Sequence, residues 1–242
     1  LAADVGGTHV RVGRVQASAD PAHPVELLDY RKFRNADYAG LSAILSDFLA
    51  EGPRPSHCVV ATAGYAREDG TVITANVPWP LSARQIEADV GLQRVHIVND
   101  FEAVAYAAAQ VDASGVLHLC GPDSAPRGPT LVVGPGTGLG AALWIPTANG
   151  PVVLATEAGQ PTLAASTDLE MAIVRHMQRD RAHVSIEHAI SGPGLMNLYR
   201  AICALQDQAP ALASPDAVTA AAMAGSDPLA RQALDVFCGL LG

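Results

Sequence analysis

Arg94-Val-His-Ile-Val-Asn-Asp-Phe-Glu-Ala-Val-Ala-Tyr-Ala-Ala-Ala109 joins an apolar run, Val95 to Val98, to the polar pair Asn99-Asp100. Beyond the pair, Phe101, Val104, Ala105 and Ala108 recur at helical spacing. The pattern predicts a strand, a polar corner and a helix. In open α/β sheets, ligands bind beyond the carboxyl ends of strands, which is where Asn99 and Asp100 fall. Taken alone, an Asp at such a corner caps the next helix more often than it catalyses, because its carboxylate accepts orphan backbone N–H groups. Three further stretches shift that balance.

Composition narrows the class. The 242 residues carry a formal net charge of −9, with 49% hydrophobic and 16% charged residues. That describes a soluble globular chain, long enough for one large domain or two small ones. The acidic balance argues against a nucleic-acid or anionic-membrane partner, since both need basic surface. No apolar run approaches a bilayer span, and Leu1 leads into a strand-like segment without a basic n-region, so the expected location is cytoplasmic. The first residue is not Met, so the natural chain is expected to begin slightly upstream. Cys58, Cys120, Cys203 and Cys238 are scattered singly, without the spacing of a zinc site or redox pair, and are expected to be buried free thiols. The eight histidines show no ligand spacing either. Lys32 is the single lysine and has no glycine beside it, which removes the key residue of P-loop, protein-kinase and most Schiff-base chemistries.

Along the chain, residues 1–15 read as two strands joined by a tight turn, with Asp4-Val5-Gly6-Gly7-Thr8 at the corner. Glycines let backbone N–H groups cradle a phosphate, and Asp can hold Mg²⁺. An ordinary Gly-Gly hairpin with positive φ explains the same letters equally well. Strands are expected near Leu27–Phe33, Cys58–Thr62 and Thr71–Ala75, with an amphipathic helix over Gly40–Glu51 and a second helix capped by Ser82. This strand–helix alternation makes an α/β domain ending near residue 110. The Gly/Pro-rich stretch from Val111 to Pro129 marks a boundary, so the expected domains are 1–110 and 111–242. The second opens on the strand Leu131–Val133, runs into Gly134-Pro-Gly-Thr-Gly-Leu-Gly140 and continues as the strand Ala141–Ile145. That repeats the shape of the first glycine turn and is read as a second phosphate clamp. The dinucleotide fingerprint does not fit, since position 139 is Leu and a strand follows. Thr167 with Glu170 predicts a capping box, Ser191 with Pro193 a helix start, and Pro215–Ala224 and Pro228–Leu241 two further helices.

These blocks together resemble the bacterial glucokinases, ATP-dependent hexose kinases of the actin-like ATPase superfamily. The resemblance covers Leu1 to Gly242. It is carried by Asp4–Thr8, Ile97-Val-Asn-Asp-Phe101, Gly136-Thr-Gly-Leu-Gly140, Val184-Ser-Ile-Glu187 and Ser191-Gly-Pro-Gly-Leu195-Met-Asn-Leu-Tyr-Arg200. It implies a two-domain actin-like (ribonuclease H-like) fold. It makes Asp100 the general base toward the sugar 6-hydroxyl, and it assigns Asn76, Asn99, Glu157, Gln160 and Glu187 to the sugar alongside it. Gly6, Gly7, Thr8, Gly136, Thr137 and Gly138 would hold the ATP phosphates, with Asp4 at the phosphates and Mg²⁺. Glucose and ATP would be the partners, and a homodimer is in keeping with the family. One departure is Ala158-Gly159-Gln160, where the family pattern is Gly-Gly-His; another is the expected absence of the family's C-terminal part. The alternative reading is a sugar-binding remnant or sensor without useful kinase activity.

Overall fold

The computed structural model describes residues 1–20, 24–66, 71–73, 77–111, 115–121 and 128–242. The strands are β1 Ala2–Val5, β2 His9–Ala17, β3 Val25–Arg34, β4 His57–Thr62, β5 Tyr65–Ala66, β6 Val72–Ile73, β7 Arg94–Asn99, β8 Thr130–Pro135, β9 Leu139–Ile145 and β10 Val152–Thr156. The helices are α1 Leu41–Phe48, α2 Ala83–Val90, α3 Asp100–Ala108, α4 Asp168–Met177, α5 Gly192–Leu205, α6 Pro215–Ala224 and α7 Pro228–Leu241. The chain forms two compact units: Leu1–Val132 with Leu143–Ala155, and Val133–Ala142 with Thr156–Gly242.

The first unit is built on a five-stranded sheet of order β3-β2-β1-β4-β7. β1 runs antiparallel to β2 and parallel to β4, and β4 runs parallel to β7. Alternate residues set one face: Ala3, Val5, Val10, Val12, Cys58, Val60 and Val95 are buried. They share a core with Leu41, Ile44, Leu45 and Phe48 of α1 and with Ile86 and Val90 of α2. Each fully buried side chain such as Ile44 or Val60 stabilises by ~1.5–3 kcal/mol. The register places Val5 beside Thr62 and Thr62 beside Asn99, so the three parallel strands end level. Among the described residues one charged side chain, Arg14, is buried in this unit. Arg14, 5% exposed, bonds Asp29 and the Glu51 carbonyl (2.9 Å) and lies over the Phe48 ring at 4.9 Å, which together offset part of the cost of its burial, while its Nε has no partner among the described residues.

In the second unit α5 is the central helix, and eight of its residues from Gly194 to Cys203 are buried. Ser191 caps it, accepting from Gly194 N–H at 2.9 Å, and Pro193 sits in the first turn. Tyr199 is fully buried and its hydroxyl donates to Asp227 at 2.9 Å. The Asp227 carboxylate also caps α7 through the N–H groups of Leu229 (2.8 Å) and Ala230 (3.0 Å). These bonds hold the Asp227 carboxyl below the usual aspartate range, and burial together with the Asp227 bond pushes the Tyr199 phenol up to about 12. One phenol–carboxylate contact thereby fixes α5 against the start of α7.

The observed elements refine several expectations. The helix expected over Gly40–Glu51 stops at Phe48, and the strand expected over Thr71–Ala75 is Val72–Ile73, with 74–76 outside the described residues. The strands around the second glycine turn are longer than their apolar letters suggested, because the ladder continues through glycines that carry no hydrophobic signal. Of the four cysteines, Cys58 and Cys203 are buried, and burial pushes the Cys58 thiol up to about 11. Cys120 and Cys238 are exposed, against expectation; single cysteines outside a periodic apolar face give no burial signal. A Cβ built on Gly194 would stand 2.5 Å from the Ala189 carbonyl carbon and 2.9 Å from the Glu187 carbonyl oxygen, so backbone itself must move to admit it. Gly194→Ala is accordingly expected to destabilise the protein by about 1–3 kcal/mol, read as a lowered urea midpoint.

Candidate functional site

In the first unit, the level strand ends gather the polar residues. Thr62, 1% exposed, donates its hydroxyl proton to Val5 O at 3.2 Å, tying the end of β4 to that of β1. β7 passes directly into α3, and the residue at the junction that caps the helix is Asn99, not Asp100. Asn99 Oδ1 accepts from the N–H groups of Phe101 (2.9 Å) and Glu102 (3.3 Å), while its Nδ2 donates to Gly64 O (3.2 Å). This removes the competing capping role from Asp100, which becomes the first residue of the helix.

Asp100 is half-buried, and its Oδ1 accepts from Phe101 N–H at 2.9 Å. Burial raises its pKa above the usual aspartate value, with a further push from the negative charge of Asp4, while the Phe101 bond opposes both. A carboxylate so placed is a stronger base than a free one and has one oxygen oriented by backbone.

The first glycine turn closes with Gly6 N–H donating to His9 O at 3.0 Å. Neither Gly6 nor Gly7 takes a left-handed φ, so the hairpin geometry does not explain the glycines. A Cβ on Gly6 would meet His9 O at an ordinary 3.4 Å, so the chain's own packing does not demand glycine there either. Thr8 is exposed beside it. Asp4 is paired with Arg11 at 2.7 Å, and both are about half exposed. Among the described residues no cluster of three His, Cys, Asp or Glu could hold a metal. Asp4 nevertheless suits Mg²⁺, which takes one or two carboxylates and completes its shell with water and phosphate oxygens.

Sequence reasoning passed over Asn35. It lies just past β3, is 4% exposed, and sends Nδ2 to Gly6 O (2.8 Å) and Gly7 O (3.0 Å), while its backbone N–H donates to Thr8 O (2.9 Å). No local signature marks such a residue, because its partners are 27–29 positions away.

In the second unit, Glu187 sits in the short 3-10 turn Ile186–His188. Its N–H donates to Gly159 O (2.9 Å) and its carbonyl accepts from Ser191 Oγ (2.7 Å). Gln160 Nε2 donates to Glu187 Oε1 at 3.0 Å, and the Gln160 carbonyl is 3.0 Å from His183 Nε2. A Cβ on Gly138 would fall 2.6 Å from Glu187 Oε2, so the second glycine turn leaves room for that carboxylate. The same turn accepts at Gly136 O from Gly192 N–H (2.8 Å), at the start of α5. Gly136 itself has open space where a Cβ would stand, and Thr137 is exposed. Glu157 is exposed at the end of β10 and accepts from Gln160 N–H through its carbonyl (3.0 Å). Glu157, Gln160 and Glu187 therefore belong to one hydrogen-bonded segment. Asn76 lies outside the described residues.

The comparisons with known proteins agree over the whole chain. The family model described as Glucokinase matches residues 1–242. A glucokinase-like protein of Xylella fastidiosa is 57% identical over 242 residues, which are 100% of this chain and 72% of that protein. A glucokinase of Paramagnetospirillum magneticum is 37% identical over 246 residues, covering 100% of this chain and 74% of its own. Among solved structures, glucokinase from an Antarctic psychrotroph matches with a TM-score of 0.83 at 29% identity, over 99% of this chain and 75% of that one. Glucokinase from Balamuthia mandrillaris in complex with glucose shares the fold, with a TM-score of 0.75 at 21% identity over 99% and 73% of the two chains. With a family match end to end and relatives well above 30% identity, the chain belongs to the glucokinase family, a family of sugar kinases.

Proposed function

We propose that the protein transfers the γ-phosphoryl group of ATP to the 6-hydroxyl of glucose, with Asp100 as general base. The observation that carries this reading is the carboxylate itself: half-buried, relieved of capping by Asn99, and raised in pKa at the level ends of three parallel strands. Such a base takes the hydroxyl proton as the oxygen attacks phosphorus in line, and the phosphoryl group passes to O6 while ADP leaves. Sugar hydroxyls present a fixed pattern of donors and acceptors, which rigidly held carboxylates and amides can read. Asn76, Asn99, Glu157, Gln160 and Glu187 are assigned that task. Glu187 is supported in it by four constraints: the Gly159 carbonyl, Ser191, Gln160 and the space above Gly138.

Gly6, Gly7, Thr8, Gly136, Thr137 and Gly138 are assigned to the ATP phosphates. The support is that Gly6 and Gly136 are glycines without an internal steric reason, as a closely approaching ligand requires. Asp4 would hold Mg²⁺, which supplies charge neutralisation at the phosphates when bound. We further assign the chain the two-domain, ribonuclease H-like architecture of the actin-like ATPases, divided near residue 111. The sheet order β3-β2-β1-β4-β7 supports the fold, and the presence of two compact units supports a division in two, although the first unit runs to Val132 and takes in Leu143–Ala155, past residue 111.

The direct test is ADP release by the purified chain with ATP and magnesium, which is expected to rise on adding glucose; glucose binding without ADP release would reduce the protein to a sugar-binding one. Asp100→Asn is expected to lower kcat by ~10²–10⁴ while sugar affinity stays within a few-fold. Equal loss of both would remove the base assignment. Because the folded Asp100 pKa lies above 3.8, the acid limb of kcat/KM should lie above that value, with activity rising as pH rises. Stability has the opposite slope there: the folded state holds the Asp100 proton longer than the unfolded one, so ionising Asp100 lowers stability as pH rises. An acid loss of activity accompanied by unfolding would therefore count against Asp100. Gln160→Ala should raise the sugar KM by about tenfold, since Glu187 loses its orienting donor, and leave the ATP KM unchanged.

A further inference from the structure

We propose that Asn35 is the positioning residue of the first glycine turn, the side chain that aims its peptide N–H groups at the phosphates of a nucleotide. The inference rests on the kinase reading above and adds to it a residue outside the glycine turn.

The geometry follows from the peptide unit. A trans peptide is planar, and its C=O and N–H point in opposite directions. Asn35 Nδ2 donates to Gly6 O and Gly7 O, and the Asn35 backbone N–H takes Thr8 O. The carbonyls of three consecutive residues thus face Asn35. The N–H groups of Gly7 and Thr8, which share peptide planes with the first two carbonyls, must face away from it. Two consecutive amides facing one way on a Cβ-free turn are what a phosphate oxygen needs.

The side chain is matched to that task. Both neighbours of the terminal amide are acceptors, so the NH₂ and not the oxygen must lie between them, and an NH₂ has one proton for each carbonyl. Among the described residues the Asn35 Oδ1 has no hydrogen-bond partner, although it is buried. An unpaired buried carbonyl lowers stability, so the residue is poorly explained as a stability device. It is well explained by the two-pronged donation, which serine, threonine or an apolar side chain cannot supply. Asp4 and Arg11 lie on the strands flanking the turn but pair with each other, and no contact links Asn35 to either among the bonds described.

The experiment uses the full chain and measures two affinities by calorimetry, one for ADP with magnesium and one for glucose. Asn35→Ala is expected to weaken ADP by about tenfold, the scale of a misdirected pair of charge-assisted bonds, and to leave glucose within twofold. Asn35→Ser, which restores one donor in a smaller side chain, should fall between the two. A residue acting only through stability would shift both ligands or neither. In the unmodified protein the Asn35 side-chain NH₂ resonances should move on adding ADP and stay fixed on adding glucose, a readout that requires no variant to fold. Wild-type ADP affinity in a folded Asn35→Ala, or side-chain resonances indifferent to saturating ADP, overturns this proposal alone. Absence of ADP binding to the unmodified chain overturns it together with the kinase reading.

Discussion

The parallel register of β1, β4 and β7 is the constraint on which the first unit depends. Pairing Val5 with Thr62 and Thr62 with Asn99 makes three strands stop at one level. A slip of one residue would turn every side chain to the opposite face and bury Asp4 in place of Val5. Val5, Val60 and Val95 prevent that slip because their burial under α1 and α2 fixes which face is inward. The polar residues at the strand ends are thus placed by apolar residues buried in the core. Thr62 completes the alignment, a buried hydroxyl whose bond to Val5 O joins two strand ends.

From that level edge the polar chemistry divides by residue type. Asn can donate and accept at once, and Asn99 uses both abilities, capping α3 with its oxygen and holding Gly64 with its nitrogen. Asp can only accept when ionised, and Asp100 spends one oxygen on the Phe101 N–H. Interchanging the two would leave a carboxylate facing the Gly64 carbonyl, two acceptors with no proton between them. Burial then raises the pKa of Asp100, since desolvation disfavours the charged carboxylate more than the Phe101 bond favours it.

The second unit solves a different problem, which is to hold one carboxylate still. Glu187 lies in a three-residue turn with little regular structure to stiffen it. Its rigidity comes from the surroundings. Ser191 caps α5 and bonds the Glu187 carbonyl with the same hydroxyl, and Gly194 brings the helix backbone close enough for that double use. Gly138 and Gly159 leave the space into which the side chain folds, and Gln160 occupies one of its oxygens. A histidine in the place of Gln160 would present a ring nitrogen of different reach and a charge that varies with pH, and so would hold the Glu187 carboxylate differently.

Local chemistry determined a large share of this protein. The alternation of Val95–Val98 with the polar pair after it, the Thr167/Glu170 capping box, the Ser191 and Pro193 helix start and the last two helices all follow from contacts within a few residues, and all stand where the sequence puts them. The glycine turns and the polar pair Asn99-Asp100 were legible as turns and a strand-to-helix corner for the same reason. What tertiary structure decided were the choices between equals. Asn99 became the cap and Asp100 the first residue of the helix, with Gly64 past the β4 end within reach of the Asn99 amide. Asn35 and Gly138 owe their roles to partners brought near by the packing of segments far apart in the chain, and nothing in their immediate neighbours foretells it. Short-range hydrogen bonding and periodicity are written locally; close approach between distant segments exists only once the chain has folded.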